Sequence, residues 1–433
     1  EASEPQDLST IKSILEVLDD APVIDPSHHA LIRFASDYYL APAGDLLLSS
    51  LPTAIRKGKP FPLAKIEQGQ SQPPHYPLTD EQQHAIDCVN QASGDFQCFL
   101  LQGVTGSGKT QVFSELIRKT LERGKQVLLL VPEIGLTGQM VTRIQQQLTG
   151  TLTVSHSGLA DGARAKAFVA ASQGTADVLI GTRSALFTPM PNLGLILVDE
   201  EHDGAYKNQE GCRYSARDLA IVRAQQMRIP VVLSSATPSL ESWHQAELGK
   251  YIRLRLSSRP GQQPSPTIRL IDARHDKPKD GLSDASRRAI GDAIDRQQQA
   301  LVFLNRRGYS PVLMCADCGW IPGCRHCDAK PTLHRHPNVL WCHHCDHRQQ
   351  SITVCPECSG LNLLAVGLGT ERLEEALATA FPDTLVIRVD RDTTARRRAF
   401  EQLIQPVIDG DPCILVGTQM LAKGHDFKNL STV

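Results

Sequence analysis

The sequence predicts an α/β protein: two parallel-sheet domains in tandem, the second interrupted by a cysteine-rich insertion, behind an N-terminal helical segment. Three observations carry this. From Leu78 onward, short and wholly apolar runs alternate with helical stretches, the pattern of buried parallel strands and their crossover helices. The rhythm breaks at a polar, Pro-rich segment, Ser257–Asp284, and then begins again. Eight of the twelve cysteines fall in four C-x-x-C pairs within one short stretch of the second series.

In chain order, residues 1–57 read as helices with an apolar stripe of Ile11, Ile14, Leu15 and Leu18, then Leu31, Phe34 and Ala35. Residues 58–77 read as a linker, two Pro-containing runs around a polar centre without periodicity. The first sheet domain is expected over 78–256. Its strands are Cys98–Gln102, Val127–Val131, Val178–Gly181, Leu195–Val198 and Val231–Ser234, and its helices include Thr110–Arg123, stopped by Gly124, and Ala216–Arg228. Residues 257–284 link it to a second domain, 285–314 and 359–433, which reads as incomplete. That series starts with the helix Ala285–Gln298 and the strand Ala300–Asn305. After the cysteine block, 315–358, it resumes with the strand Leu363–Gly367, the helix Glu371–Phe381 and the strands Thr384–Asp390 and Cys413–Gly417. Leu430–Val433 reads as the start of a further strand.

The 433 residues suit two or three domains, and 41% hydrophobic with 21% charged residues is the balance of a globular protein. No apolar run is long enough to span a bilayer, so no membrane role is expected. The first residue is Glu1 and no signal peptide is visible, which reads as a fragment or a processed chain. A formal net charge of −2 excludes binding nucleic acid by bulk charge; any such site must be a local groove.

Gly103-Val-Thr-Gly-Ser-Gly-Lys-Thr110 fits the phosphate-binding pattern G-x-x-x-x-G-K-[ST], with an apolar strand before it and a helix after it. The glycines let the backbone of Gly103, Val104, Thr105, Gly106, Ser107 and Gly108 wrap a phosphate chain, and the helix N-terminus adds a favourable dipole. Lys109 is expected on the β- and γ-phosphates of ATP and the Thr110 hydroxyl on Mg²⁺. Leu195-Ile-Leu-Val-Asp-Glu-Glu-His202 is a buried strand ending in carboxylates at the crevice of an open sheet. Asp199 is expected to hold Mg²⁺ through water and Glu200 to polarise the attacking water. Glu201 and His202 either belong to the site or couple it to a neighbouring motif.

The pairs Cys315/Cys318, Cys324/Cys327, Cys342/Cys345 and Cys355/Cys358 predict two four-thiolate zinc sites, with a redox or iron–sulfur role as the alternative. Five residues between Cys318 and Cys324 are a tight span for one tetrahedron, whereas fourteen between Cys327 and Cys342 suit a ribbon hairpin. Site two is therefore Cys324, Cys327, Cys342 and Cys345, and site one is Cys315, Cys318, Cys355 and Cys358, a nesting that brings Met314 and Ser359 together. Eight thiolates outweigh two divalent cations, so the block is not expected to bind DNA by charge. His326, His334, His336, His343, His344 and His347 read as surface residues, because the thiolates fill both sites.

The order of these and further segments resembles the superfamily 2 helicases, and within them the PriA family of bacterial replication-restart helicases. The stretches that carry the resemblance are the phosphate loop, Val131-Pro-Glu-Ile-Gly-Leu-Thr137, Gly181-Thr-Arg-Ser-Ala-Leu-Phe187, Val198-Asp-Glu-Glu-His-Asp203 and Leu304-Asn-Arg-Arg-Gly308. Gly367-Leu-Gly-Thr-Glu-Arg372, Val389-Asp-Arg-Asp-Thr-Thr394, Gly417-Thr-Gln-Met-Leu-Ala-Lys-Gly-His425 and the cysteine block complete them, over nearly the whole chain. The resemblance implies two RecA-like motor domains and ATP-driven unwinding of branched or single-stranded DNA. It implies that Gln82 reads adenine, that Thr182, Arg183, Thr418 and Lys423 contact DNA, and that Ser235 and Thr237 link hydrolysis to strand movement. It places Tyr206, Lys207 and Tyr214 on an aromatic loop coupling DNA to hydrolysis, although Cys212 stands where that loop is expected to carry Trp.

The implied partners are primosome proteins and single-stranded-DNA-binding protein, docking in part on the zinc block, in a monomer of the bacterial cytoplasm and nucleoid. Measured against that family, the domain that captures a nascent 3′ end is expected to be missing and the winged-helix module reduced to the 58–77 linker. The chain also stops before the last helicase motif, so this piece is expected to bind ATP–Mg²⁺ but hydrolyse it poorly. The competing readings are a double-strand translocase or restriction motor, an RNA-directed enzyme, and a zinc-dependent scaffold that binds ATP without turning it over.

Overall fold

The computed structural model describes residues 23–58, 77–132, 145–146, 150–259, 266–272, 275–276, 278–304, 312–335, 338–342, 344–366, 370–389, 399–417, 427 and 429–433. The chain divides into two compact units, Glu1–Ser265 and Pro266–Val433.

In the first unit, the first helices among the described residues are α1 (Pro26–Tyr39), α2 (Ala43–Ser50) and α3 (Thr53–Arg56). Asp25 caps α1 by accepting from His28 N at 2.8 Å, and Pro26 opens it with its φ already helical. Leu31, Ile32, Ala35 and Leu46 are buried in the same core as the first sheet, so these helices are a layer of the first unit. Phe34, expected in the buried stripe, is on the exposed side at 36%. The part of that stripe before residue 23 lies outside the described residues, as does nearly all of the 58–77 linker.

The elements that follow are α4 (Asp80–Gln91), β1 (Cys98–Gly103), α5 (Lys109–Glu122), β2 (Gln126–Leu130), β3 (Leu152–Ser155), α6 (Asp161–Ser172), β4 (Val178–Gly181), β5 (Leu193–Val198), α7 (Ala216–Met227), β6 (Val231–Ser235), α8 (Leu240–Glu247) and β7 (Ile252–Leu256). All seven strands run parallel, in the order β3-β4-β2-β5-β6-β1-β7. Successive side chains of a strand alternate between the faces of the sheet. Leu100, Leu128, Leu130, Ile196, Val198 and Leu233 pack under α7 and the N-terminal helices. Phe99, Leu101, Val127, Leu129, Leu195, Leu197 and Val232 pack under α4 and α5. The uninterrupted apolar runs are thus explained: both faces of the sheet are covered, as a doubly wound fold requires.

In the second unit, α9 (Asp284–Asp295) leads into β8 (Gln299–Phe303), β9 (Val312–Cys315), β10 (Thr332–Arg335), β11 (Asn338–Trp341), β12 (Arg348–Gln350) and β13 (Leu363–Val366). Then come α10 (Thr370–Ala380), β14 (Leu385–Val389), α11 (Ala399–Asp409), β15 (Cys413–Gly417) and β16 (Leu430–Thr432). A four-stranded parallel sheet has the order β14-β15-β8-β16, and the final strand pairs with β8. One correction concerns Leu363–Val366, expected to resume this sheet. It pairs antiparallel with β9 instead, Leu363 opposite Cys315, and forms a separate two-stranded base for the cysteine block. The physical reason is the zinc nesting: bringing Cys315 and Cys358 together lays the two flanking strands side by side. β10, β11 and β12 form an antiparallel ribbon beyond that base.

Candidate nucleotide and zinc sites

The sequence motifs of the first unit converge because each follows the carboxyl end of a parallel strand. The phosphate loop leaves β1, Val131 and Pro132 leave β2, Thr182 and Arg183 leave β4, Asp199 to His202 leave β5, and Thr237 follows β6, whose last residue is Ser235. Ligands of open α/β sheets bind in the crevice at those ends.

The phosphate loop is shaped as a cradle. Gly106 and Gly108 have φ of +80° and +82°, which L side chains rarely adopt. A Cβ on Gly103 would come within 2.5 Å of Ser107 Oγ, and one on Gly108 would run into Gln82 Nε2. α5 begins directly after Gly108 with no side-chain cap, so its first N–H groups are left for an anion. Val104, Thr105 and Gly106 are exposed, Ser107 is buried, and Thr110 lies half-buried in the first turn of α5. Lys109 Nζ donates to Gly103 O at 2.9 Å. The cradle, the uncapped helix and the single lysine fit a nucleotide's phosphates; Lys109, Thr110 and Asp199 are the residues that would hold them with Mg²⁺.

Gln82, expected to read adenine, is fully buried and committed to the protein. Its Oε1 accepts from Thr79 N at 3.0 Å, completing a capping box on α4, and its Nε2 donates to Ser107 O at 2.9 Å. In this structure Gln82 ties α4 to the phosphate loop.

Burial and the neighbouring Glu200 carboxylate push Asp199 up to about 6, with Lys109 pulling the other way. A raised carboxyl costs the fold stability as pH rises from the unfolded value near 3.8 to about 6, and the cost stays constant above that. Asp199→Asn is therefore expected to stabilise the nucleotide-free chain at pH 7.5 by about 3 kcal/mol, the gain vanishing below about pH 4. Thermal unfolding across pH reads this; an unchanged or lowered midpoint at pH 7.5 would refute it.

Glu200 sits at φ +45°, a left-handed turn imposed at the end of β5. Its Oε2 is 3.5 Å from His202 Nδ1, which lies 2.7 Å from Ser235 Oγ. Ser235 Oγ also accepts from Thr237 N at 2.9 Å. A chain of contacts thus links the acidic pair to the Ser-Ala-Thr turn, and Thr237 itself is exposed.

Glu201 does something else. It is buried and accepts from Ser239 N (2.7 Å), Ser239 Oγ (3.0 Å), Ser242 Oγ (2.8 Å) and Arg217 Nη1 (3.2 Å). It fastens the N-terminus of α8 and the start of α7 to β5. Glu201→Ala is expected to cost about 3 kcal/mol by stripping Arg217 of a buried partner. Urea unfolding checks this, and an unshifted midpoint would contradict it.

The aromatic loop is corrected by burial. Tyr206 and Tyr214 are 2% and 6% exposed, members of the core under α7, so neither is open to stack on a base. The Tyr206 hydroxyl lies 2.6 Å from Asp199 O and 3.0 Å from Leu130 O, bracing the ends of β5 and β2. Tyr214 packs edge-on against Phe187. Lys207 is exposed, with its Nζ 5.3 Å from the centre of the Tyr39 ring, and Tyr39 Oη accepts from Ser215 N at 3.1 Å. Sequence reasoning gave no hint of this contact between α1 and the loop. Arg183 reaches the same loop, 3.4 Å from the carbonyls of Ala205 and Lys207, while Thr182 precedes a short 3₁₀ turn, Arg183–Phe187. Glu133, 305–308, 391–394, Thr418 and Lys423 lie outside the described residues.

In the second unit the thiols gather in the two nested sets expected, Cys315, Cys318, Cys355 and Cys358, and Cys324, Cys327, Cys342 and Cys345, with all four sulfurs of each set within 4.8 Å of one another. The Sγ pairs Cys315–Cys358 and Cys318–Cys355 are 3.6 Å apart, and Cys324–Cys345 and Cys327–Cys342 are 3.5 Å apart. A tetrahedron with Zn–S of ~2.3 Å has edges of about 3.8 Å, whereas a disulfide needs ~2.05 Å. Each set therefore fits a zinc ion. Three knuckles share one turn, in which a Cys carbonyl accepts from the N–H four residues on (Gly319, Asp346, Ser359), each of these at positive φ. Backbone N–H groups of Cys345 and His344 hold the Cys342 thiol down to about 6 against its burial. Burial raises Cys355, but the N–H groups of Cys358 and Glu357 outweigh it and hold that thiol at about 7. His347 departs from the surface reading: it stacks on His326 at 4.1 Å and its Nε2 is buried.

Comparison with known proteins agrees with this geometry. Residues 79–246 match the DEAD/DEAH box helicase family, residues 324–350 the Cys-rich region of the PriA DNA helicase, and residues 1–52 the 3′ DNA-binding domain of PriA. The last match overturns the expectation that the chain has nothing of the domain that captures a 3′ end. The replication restart protein PriA of Haemophilus influenzae is 38% identical over 98% of this chain and 68% of that protein. Its counterpart in Bacillus subtilis is 42% identical over 82% of this chain and 45% of that protein, and in Rickettsia felis 35% over 99% and 64%. This chain thus spans between about half and two thirds of the length of these relatives. Built from a helicase domain and a PriA-type cysteine-rich region, and 35–42% identical to these proteins, the chain belongs to the PriA family of replication restart proteins.

Proposed function

We propose that this chain is the motor of an ATP-dependent DNA helicase that unwinds branched DNA at stalled forks so that replication restarts. The observation that carries the proposal is the convergence, at the carboxyl ends of one parallel sheet, of a phosphate cradle, an acidic pair and a contact chain to the Ser-Ala-Thr turn. Lys109 grips the phosphates, Thr110 and Asp199 hold Mg²⁺, and Glu200 orients the attacking water and takes its proton. Mg²⁺ bound there neutralises charge developing on the phosphoryl oxygens. Ser235, through His202, passes the state of Glu200 to Thr237 and the DNA-facing turn. Thr182, Arg183, Lys207, Thr418 and Lys423 track the strand, and Tyr206 couples by bracing Asp199 from within the core. The cysteine block, folded around two zinc ions, docks primosome proteins and single-stranded-DNA-binding protein. The enzyme works as a monomer in the bacterial cytoplasm, at the nucleoid.

The test is ATP hydrolysis by the protein with and without forked DNA, beside a Lys109→Ala control. Stimulation that the control loses supports the motor. Absence of stimulation by any DNA sinks it, in favour of an ATP-binding scaffold or an RNA substrate.

A further inference from the structure

The segment after β7, expected to be only a linker, is strapped across the phosphate loop. Glu81, in the first turn of α4, accepts from Ser257 N at 2.7 Å, from Ser257 Oγ, and from Ser258 N at 3.4 Å. On the other side, Val104 N donates to Leu256 O at 3.3 Å. The chain leaving β7 is therefore pinned both to α4 and to the first residue of the loop. Arg259 comes next. Its Cδ and Cγ would lie 3.8 and 4.0 Å from a Cβ placed on Gly106, so its stem runs along the middle of the loop. The guanidinium is two bonds beyond that Cδ. Among the described residues Arg259 has no ion pair, although it stands beside a site built for a polyanion.

The sheet order tells which part of a nucleotide it addresses. Asp199 follows β5, which is two strands to one side of β1; β7 is the neighbour of β1 on the opposite side. Arg259 is thus on the flank away from the acidic pair, the flank on which Glu81 of α4 holds Ser257 and Ser258. The γ-phosphate belongs with Asp199 and Glu200, so the other flank faces the base-proximal end of the phosphate chain. We propose that Arg259 is a nucleotide-binding residue, its guanidinium pairing with the base-proximal phosphate oxygens of the bound adenine nucleotide while Glu81 holds the strap in place. The proposal rests on the nucleotide-site reading above and extends it to a residue outside every helicase motif in this chain.

The experiment is a calorimetric titration of the 433-residue chain with ADP–Mg²⁺, which needs neither DNA nor hydrolysis. Arg259→Ala is expected to weaken ADP about tenfold, the size of one charge-assisted contact, and Arg259→Lys to bind within about threefold of the parent. Glu81→Ala, which removes the strap's anchor and no nucleotide contact, is expected to give a smaller loss of about threefold. The melting temperature of Arg259→Ala without nucleotide should match the parent, which separates binding from folding. Affinity within twofold for Arg259→Ala overturns the inference, as does a loss that Arg259→Lys does not restore. Lys109→Ala separates the two levels. If the parent chain binds no ADP, or Lys109→Ala binds it equally well, the nucleotide-site reading itself fails.

Discussion

Glu200→Gln is expected to lower DNA-stimulated ATP hydrolysis by about 10²–10⁴-fold, the contribution of a positioned general base. Glutamine keeps the shape of the side chain and its contact with His202 but cannot take a proton. The backbone explains why the position is demanding. Glu200 adopts φ +45° two residues beyond the buried end of β5, and a non-glycine residue held there costs about 1–3 kcal/mol. Asp199 N is fixed to Leu130 O at 2.9 Å and Glu201 N to Ser234 O at 2.9 Å, so the turn is held on both sides. ADP affinity should stay within twofold, because the phosphate loop and Lys109 are untouched. Hydrolysis that stays within tenfold of the parent would remove Glu200 from the chemistry.

What was legible in the sequence was whatever is written locally. Cys98–Leu101 and Val178–Gly181 are apolar because both faces of their sheet are covered, and each strand ends in the motif that it positions. The zinc pairing was legible because ligand spacing is a distance constraint along the chain. Elements that break the buried-strand pattern were missed. Leu152–Ser155 is half-buried along its length, and Ile252–Leu256 alternates because it is a sheet edge, with Arg253 set over the Trp243 ring at 4.9 Å. Without β7, the residues that follow it could only read as a linker, which hid Arg259. Tyr206 and Tyr214 show the converse limit. Aromatics next to a lysine describe a stacking surface equally well as a core, and only the docking of α7 and of α1, the latter far away in sequence, decides for the core. Gln82 is similar: its type suits adenine, but its partners are Thr79 and Ser107.

Removing zinc is expected to unfold the cysteine block and leave the nucleotide site intact. Among the described residues, the core of the block is small: Leu313, Leu333 and Leu340, with Ile352 and Leu363 packed against them. Three buried leucines contribute about 1.5–3 kcal/mol each, less together than the ~10–16 kcal/mol that one structural zinc supplies in small peptides. The metal is therefore the main stabiliser of β10 to β12. The nested arrangement makes the two sites unequal. Site one closes the base where Leu363 pairs with Cys315, whereas site two joins the tips of the ribbon. Cys327→Ser should lower the zinc content from two ions to one, exposing the amides of β10, β11 and β12 to hydrogen exchange while β9 and β13 stay protected. Stripping both ions with a strong chelator should expose β9 and β13 as well. In either case ADP binding should be unchanged, because every residue of the nucleotide site lies in the other unit. The same Cys327→Ser change should abolish unwinding or recruitment of primosome proteins. Two zinc ions retained by Cys327→Ser, or a chelated protein whose ribbon amides remain protected, would show that the block is held by something other than metal.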